Sequence, residues 1–310
     1  MTVALRLDVL VAGLFVLALL VGDGGFSLPH GLVLWQIRLP RALLGVLVGG
    51  GLGLSGAVLQ GALRNPLADP GLLGVTGAAG LGAVIAFYWG AASAFAPALP
   101  LGGLIGAAVG SAALLGFAGR VPTGPALILA GIGLSALSGA LLALALSLAP
   151  NPFALAEITF WLMGGLADRS LRHVTLAAPP ILIGCALLLG LGRSLDALSL
   201  GEETARTLGV PVGRTLRRAA LGTALAVGAG TAVAGAIGFV GLVVPHLLRP
   251  FLGERPGALL PGSFLAGAGL LLTADMAVRI LPLSQELPVG VLTALIGAPV
   301  LVVLARRSAP

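Results

Sequence analysis

The sequence is poor in charge and nearly free of cysteine, and each shortage excludes a class of protein. Charged residues make up 9% of the 310 residues, whereas soluble domains carry roughly 25%. There is no lysine, so the chain cannot form the Lys-dependent phosphate loop of ATP-hydrolysing proteins. The single cysteine, Cys185, cannot form a disulfide within the chain. The three histidines are far apart in the sequence, so we expect no metal site.

In place of charge, the chain has long uncharged stretches. Hydrophobic residues account for 58% of the sequence, and a helix needs about 20 apolar residues to cross a bilayer. The uncharged windows are 42–63, 70–119, 121–156, 173–192, 219–248, 256–274 and 287–305. The longest of them has room for two spans joined by a turn. This pattern predicts an all-α polytopic membrane protein that forms a single transmembrane domain, residues 1–310, with a function in traffic across the membrane.

About ten transmembrane helices are predicted from these windows and their turn signals. Their approximate ranges are 4–22, 41–62, 71–90, 98–118, 124–148, 174–192, 214–236, 238–250, 258–281 and 287–305. The connection 149–173 contains Asn151 and Pro152, which are expected to break a helix, and is predicted to form a short helix near the membrane surface. The loop 193–213 is the only sizeable polar segment.

The arginines are distributed unequally between the two sides of the membrane. With ten spans, twelve of the 17 basic residues fall on the side of both termini, which the positive-inside rule makes cytoplasmic. These twelve are Arg6, Arg64, Arg120, Arg193, Arg206, Arg214, Arg217, Arg218, Arg249, Arg255, Arg306 and Arg307. The basic balance therefore indicates topology and contact with lipid, and no nucleic-acid partner is expected.

Glycines are abundant and indicate close helix packing. The chain has 49 of them, and Gly45, Gly49 and Gly53 repeat at four-residue spacing, which lets helix backbones approach in a membrane. The string Gly51–Gly56 matches a dinucleotide-binding fingerprint. That motif requires a preceding strand, whereas this string lies within a predicted membrane helix, so the match is a false positive.

Charged groups at the predicted outer side form two motifs. Trp35–Arg41 opens the second helix and contains Arg38 and Arg41, which either anchor to lipid headgroups or receive an acidic partner, since Arg binds carboxylates in bidentate fashion. Asp275 and Arg279 are four residues apart on one helix, where such a pair can interact.

Three further strings stand out on the predicted cytoplasmic side. Ser199–Gly209 has the pattern of a short amphipathic helix, either a solvated loop helix or an element that docks into a cytoplasmic partner. Leu63–Gly71 contains two prolines and predicts a rigid turn. Gly235–Arg249 combines glycines with a proline and a basic end, and by composition alone predicts only a kinked span.

Together these strings resemble the FecCD-type permease family, the membrane subunits of type II ABC importers for cobalamin, haem and ferric siderophores. The similar strings are Trp35–Arg41, Ser55–Gln60, Asn65–Val75, Phe160–Gly165, Gly201–Gly209, Gly235–Arg249 and Glu286–Pro299. The first and last look closest to the cobalamin branch. The resemblance implies ten helices per subunit and two permease copies, expected here as a homodimer. It also implies two ATP-binding subunits, a periplasmic substrate-binding protein, and a location in the inner membrane. The chain itself is then not an enzyme and needs no cofactor.

The resemblance also implies roles for individual residues. Docking of the binding protein falls on Arg38, Arg41 and Arg279, and the cytoplasmic gate falls on Asn65, Leu67 and Thr123. Coupling to the ATP-binding subunit falls on Gly201, Glu202, Glu203, Ala205, Arg206, Leu208 and Gly209. Cobalamin permeases have a hydroxyl residue where this chain has Gly124, so the second part of the gate departs from their pattern.

Two rival functions follow from the same composition. A self-contained secondary transporter or channel would need intramembrane acids or broken-helix ion sites, and the uncharged windows contain almost no such groups. A scaffold that couples to an ATP-binding subunit would lack any external binding protein. Replacing Arg38, Arg41 and Arg279 by Glu, and measuring uptake and capture of a binding protein, separates these hypotheses.

Overall fold

The computed structural model of the chain covers five stretches, with side chains described between Arg6 and Val300. These stretches are 3–22, 25–89, 98–119, 122–281 and 286–307. Arg120, most of the predicted turn after the third helix, and the side chains of Arg306 and Arg307 lie outside this description.

Helices account for most of the described residues. In chain order the elements are α1 (Val3–Leu20), β1 (Val21–Gly22), β2 (Gly25–Phe26), α2 (Gly31–Leu63), α3 (Val75–Tyr88), α4 (Ala98–Phe117), α5 (Gly124–Ser147), α6 (Pro152–Leu162), α7 (Leu171–Leu189), α8 (Gly192–Leu198), α9 (Glu202–Thr207), α10 (Val212–Ala234), α11 (Val240–Leu252), α12 (Pro256–Ile280) and α13 (Val289–Arg307). Five of them, α2, α4, α5, α7 and α12, are long and apolar enough to cross a membrane. The predicted all-α membrane fold is confirmed, and each of the ten predicted spans has a counterpart.

Helix α2 begins ten residues earlier than predicted, at Gly31 instead of residue 41. The sequence prediction placed the start at residue 41, at the edge of the uncharged window 42–63. Pro40 then falls inside the helix, where proline lacks an N–H and clashes with the preceding turn. The structure accommodates Pro40 by forming a π-helical turn over Leu34–Arg38 immediately before it. A wider turn of this kind relieves the clash and lets the helix continue.

Helix α3 is shorter than predicted and α11 begins two residues later than predicted, because each is preceded by a bent segment. A single 3₁₀ turn, Pro70–Leu73, occupies the predicted start of α3. Helix α11 begins after Phe239, whose φ of 66° ends the regular backbone there. The two bends are close together, since a Cβ atom built on Gly241 would lie 2.6 Å from Cδ of Pro70. Both helices therefore begin inside the bundle.

The connection between α5 and α7 contains the predicted short helix, α6. Asn151 and Pro152 lie between the end of α5 and the start of α6, so the predicted break is confirmed, and Asn151 also caps the new helix. The Asn151 side chain accepts a hydrogen bond from the N–H of Ala154 at 2.9 Å, and Pro152 takes the first helical position. Asn at the N-cap followed by Pro favours a helix start. The antiparallel pair β1–β2 has no counterpart in the sequence prediction.

Helices α2 and α10 form the centre of the bundle. Helix α2 packs against α12, α10, α11 and α7, and α10 also packs against α4 and α7. The backbones approach closely where glycines face each other, as at Gly49 and Gly267, where a methyl group on either would overlap the other's carbonyl region. The close helix packing predicted from the glycine spacing of α2 is therefore confirmed, and the partner helix is α12.

Candidate functional site

A buried ionic cluster joins the beginning of α2 to the end of α12. Arg41 Nε donates to both carboxylate oxygens of Asp275, at 2.8 and 3.1 Å. Arg279 donates to Asp275 Oδ2 from Nε at 3.0 Å and also from Nη2. Asp275 is completely buried, and a buried charge needs such partners because desolvation is costly. The predicted pairing of Asp275 with Arg279 is confirmed. The sequence did not indicate that Arg41 also pairs with Asp275, because the two residues are 234 positions apart.

Glu286 covers this cluster on its more exposed side. Arg41 donates to Glu286 Oε2 at 3.2 Å and, through Nη2, to Oε1. The Glu286 side chain is 31% exposed, against 7% for Arg41. On the other side of the cluster, Arg279 Nη1 donates to the carbonyl oxygens of Ala18 and Val21, both at 3.0 Å. Two cations, two anions and the end of α1 thus form one network.

Arg38 fixes the same end of α1 from a different direction. Its Nη1 donates to the carbonyl oxygens of Leu19 at 2.9 Å and Ser27 at 2.8 Å, and Nη2 donates to Oγ of Ser27 at 2.6 Å. A side chain at Gly22 would overlap this guanidinium. The three predicted docking arginines are therefore neighbours, all are buried, and all have acceptors within the chain. Their contact with a binding protein stays a prediction.

The polar loop contains two short helices, α8 and α9, where the sequence predicted one. Ala205 is fully buried in the main core, whereas Leu208 exposes 61% of its surface and Glu203 is also exposed. Glu202 and Arg206 form an ion pair across one helical turn at 3.1 Å. Ala205 thus anchors α9 in the core, whereas Leu208, the residue directly after the helix, is exposed and available for contact.

Helix α9 contacts the start of α5. Gly201 and Gly209 bracket α9 with φ angles of 113° and 81°, a region that favours glycine. Glu202 Oε1 accepts a hydrogen bond from the backbone N–H of Gly124 at 3.4 Å. The hydroxyl of Thr123 caps α5 by accepting a hydrogen bond from the N–H of Ala126, also at 3.4 Å. The predicted coupling segment and one half of the predicted gate therefore touch, although they are 78 residues apart.

The other half of the predicted gate is a turn held by its own side chains. Arg64 ends α2 in the left-handed conformation with φ of 50°. Asn65 Oδ1 accepts from the N–H of Leu67 at 3.0 Å, and Asp69 Oδ1 accepts from the N–H of Gly71 at 2.8 Å. Burial raises the pKa of the Asp69 carboxyl, and the hydrogen bond from Gly71 opposes that shift. Leu67 is exposed at the tip.

This turn rests on α5, away from the residue that caps that helix. Ser135 in the middle of α5 donates its hydroxyl to the carbonyl oxygen of Gly71 at 3.4 Å. A methyl group at Gly131 would overlap the carbonyl of Leu72. Within the described part of the chain no hydrogen bond links Asn65 to Thr123. The segment that follows Asn65 and Leu67 thus contacts the middle of α5, whereas Thr123 lies at the start of that helix.

A polar bridge connects α11 to α2. Arg249 Nη2 donates to Oε1 of Gln60 at 2.7 Å, and Arg249 Nη1 lies 3.0 Å from Nδ1 of His246. The amide of Gln60 in turn donates to the carbonyl oxygens of Gly241 and Leu242, both at 3.4 Å. The sequence motif Pro-His-Leu-Leu-Arg, which composition alone described as a kinked span, supplies the polar end of α11.

An apolar concave surface lies between α6 and α13. Its volume is about 570 Å³. It is lined by Leu162, Met163, Ala236, Gly290, Val291, Ala294, Leu295, Ala298 and Pro299. Gly290 brings three segments together here, because its N–H donates to the carbonyl of Gly164 at 3.0 Å and a side chain on it would overlap the carbonyls of Met163 and Ala236. Sequence reasoning did not identify this surface, although Phe160–Gly165 and Glu286–Pro299 were singled out.

No group of three or more His, Cys, Asp or Glu residues with metal-binding geometry occurs among the described residues.

Comparisons with known proteins place these features in a family. The FecCD transport family matches residues 10–307 of the chain. The vitamin B12 import system permease protein BtuC of Salmonella paratyphi A is 42% identical over 280 residues, which cover 90% of this chain and 85% of that protein. The BtuC protein of Salmonella typhi matches at the same level. Among solved structures, an inward-facing conformation of a metal-chelate type ABC transporter superposes with a TM-score of 0.87 at 35% identity, covering 98% of this chain and 99% of the other.

Proposed function

Because this chain belongs to the FecCD transport family, we propose that it imports cobalamin, as the permease subunit of an ATP-driven importer in the inner membrane. Membership makes it a membrane-embedded permease of an ABC importer of this type. The choice of cobalamin within the family's range rests on one observation. The B12 permeases are 42% identical to this chain over 90% of its length. Haem and ferric siderophores are the alternatives within the same importer class.

The apolar surface between α6 and α13 supports passage of a bulky ligand. Its lining contains small and aliphatic side chains, and none of the charged side chains of the ionic cluster belongs to it. Such a surface offers contact area without strong directional bonds, so a ligand is held weakly and can leave again. Affinity for the ligand would then belong to the substrate-binding protein.

Side-by-side uptake of three ligands tests the proposed substrate. Cells that lack their own B12 permease are complemented with this chain and supplied with labelled cobalamin, labelled haem or a labelled ferric siderophore. We expect the chain to restore cobalamin uptake alone. Restored uptake of haem or siderophore without cobalamin would contradict the proposed ligand and leave the importer class intact.

We further propose that α9 passes motion from the ATP-binding subunits to the gate. The contact between Glu202 and Gly124 gives a direct mechanical link from α9 to α5, and α5 carries both the Thr123 cap and the surface on which the turn at Gly71 rests. Two ATP-binding subunits below two permease copies would move both gates together. The exposed leucines of α5 then leave a face available for the second copy.

For docking of the periplasmic binding protein, we propose that Glu286 acts as an intramolecular stand-in for a partner carboxylate. Glu286 is the more exposed partner of Arg41, so an incoming carboxylate has only this group to displace. On this proposal Glu286→Gln weakens the internal competitor and strengthens capture of the binding protein by roughly tenfold, equivalent to one charge-assisted hydrogen bond. Glu254→Gln, at an exposed site in the loop before α12, is the matched control. Unchanged or weaker capture by the Glu286→Gln protein would contradict the docking role.

A further inference from the structure

A second apolar groove has no role in the import mechanism proposed above. It lies between α4, α7 and α10, has a volume of about 340 Å³, and includes Ala108, Ala112, Pro180, Leu221 and Leu225 in its lining. Ser111, the only hydroxyl residue in the lining, donates to the carbonyl of its own helix and offers little to a polar ligand. The groove therefore suits an aliphatic chain.

Arginines lie directly beyond one end of this groove. Arg214 and Arg218 are exposed, and they precede Leu221 and Leu225 at spacings that place all four on one face of α10. Neither guanidinium has a hydrogen bond or ion pair with another residue in the described ranges. Arg217, on the same turn, has an interaction of its own within the chain. The uncharged window of α10 begins immediately after Arg218, so these cations mark the membrane boundary.

The dimensions of the groove match one leaflet of a bilayer. From Leu221 to Ala229 the helix rises by about 12 Å at 1.5 Å per residue, and half of the hydrocarbon core is roughly 15 Å thick. Helices α4 and α10 run antiparallel, because Gly103 lies against Ala232 and Ala107 against Gly228. Leu115 and Leu221 thus both lie near the arginine end of the groove.

We propose that this groove binds one anionic phospholipid, with an acyl chain along α10 and the phosphate at Arg214 and Arg218. The apolar length accounts for the chain, and the two cations at its mouth account for a preference for an anionic headgroup, since basic residues near a membrane surface attract such lipids. On the predicted topology the site belongs to the cytoplasmic leaflet. It shares no lining residue with the surface between α6 and α13.

Native mass spectrometry of the full-length chain tests this site. The purified protein is titrated with dioleoylphosphatidylglycerol and, separately, with dioleoylphosphatidylcholine. The double substitution Arg214→Gln and Arg218→Gln is expected to weaken phosphatidylglycerol binding roughly thirtyfold while leaving phosphatidylcholine binding unchanged. Arg255→Gln, at an exposed arginine on the same predicted side, is expected to bind phosphatidylglycerol like the native protein.

A second pair of variants tests the groove itself. Ala112→Leu places a larger side chain in the groove and is expected to weaken binding of phosphatidylglycerol, whereas Ala186→Leu, at an exposed alanine of α7 outside the lining, is expected to have no effect. The proposal is overturned if the Arg214 and Arg218 substitutions weaken binding no more than Arg255→Gln. It is also overturned if Ala112→Leu binds like the native protein, because the arginines would then attract lipid only as surface charge.

Discussion

The fully buried carboxylate of Asp275 is the single group on which most of the ionic cluster depends. It accepts hydrogen bonds from Arg41 and Arg279, and both of those guanidinium groups are almost completely buried. A buried cation without its counterion is strongly destabilising. The cluster also connects α2, α12 and the end of α1, so its integrity controls the geometry of the whole predicted outer end.

Asp275→Asn is therefore expected to destabilise the protein more than most substitutions. Two buried arginines would share Glu286 as their remaining acidic partner, and the loss is about 3–5 kcal/mol, or a fall in Tm of roughly 10 °C. Asp168→Asn is the matched control, because Asp168 is exposed and its φ of 55° suits Asn equally well. Thermal unfolding in detergent measures both, and equal Tm values for the two variants would contradict the structural role assigned to Asp275.

The turn at Asp69 provides a pH-dependent prediction. Burial raises the pKa of its carboxyl, so protonation favours the folded state. Stability from this group is present below its ordinary pKa near 4 and is lost as pH rises through the raised value. An Asn side chain at position 69 can still accept the hydrogen bond from the Gly71 N–H, but it carries no charge.

Asp69→Asn should thus be as stable as the native protein at acid pH and more stable at neutral pH. Tm measured across the acid-to-neutral range, with Asp168→Asn as control, checks this. A native protein that gains stability relative to Asp69→Asn as pH rises would contradict the sign of the shift.

At the scale of elements, the bundle is assembled through glycine contacts between α2 and its neighbours. A Cβ atom on Gly53 would overlap the carbonyl oxygen of Ser263 in α12. Gly53→Ala is expected to cost about 1–3 kcal/mol because the two backbones must separate. Gly139→Ala in α5, where nothing lies within 4 Å of the added methyl group, should leave Tm unchanged or raise it, since Ala favours helix by up to about 1 kcal/mol. Equal losses in the two variants would show that helix contact is not the cause.

Helix α9 is the element for which partner contact can be tested without disturbing the fold. Leu208, directly after the helix, is exposed, whereas Ala205 within it is fully buried. Leu208→Ser should lower capture of the ATP-binding subunit by about tenfold, the scale of an apolar interface contact, with Tm unchanged. Leu171→Ser, at an exposed leucine on the predicted opposite side of the membrane, is the control in the same pull-down. Full capture by the Leu208→Ser protein would remove α9 from the proposed interface.

Several elements could be predicted from the sequence because their signals are local. Uncharged windows predicted the spans, glycines and charged residues predicted α9, and the four-residue spacing predicted the pair Asp275–Arg279. The π-turn before Pro40 and the extra helix α8 were missed, since proline and a polar composition favour a break or a loop when read alone. The burial of Arg38, Arg41 and Arg279 was also missed, because their acceptors lie in other elements.

At the scale of the whole molecule, the functional regions lie at different positions along the bundle. The ionic cluster holds one end, α8 and α9 form the polar connection before α10, and the apolar surface lies between α6 and α13. Helices α3 and α11 begin inside the bundle, so its middle contains bent backbone, which a membrane protein tolerates where neighbouring helices bury it. We propose that the permease receives motion at the end with α8 and α9 and its ligand at the end with the ionic cluster.

The most direct test of the account is transport by the purified chain in proteoliposomes. The chain is reconstituted with an ATP-binding subunit and a cobalamin-binding protein of a B12 importer, and accumulation of labelled cobalamin is measured with ATP or with an imposed proton or sodium gradient. The account predicts accumulation only when ATP and both partners are present. Accumulation by the chain alone, driven by an ion gradient, would contradict it and identify a self-contained secondary transporter.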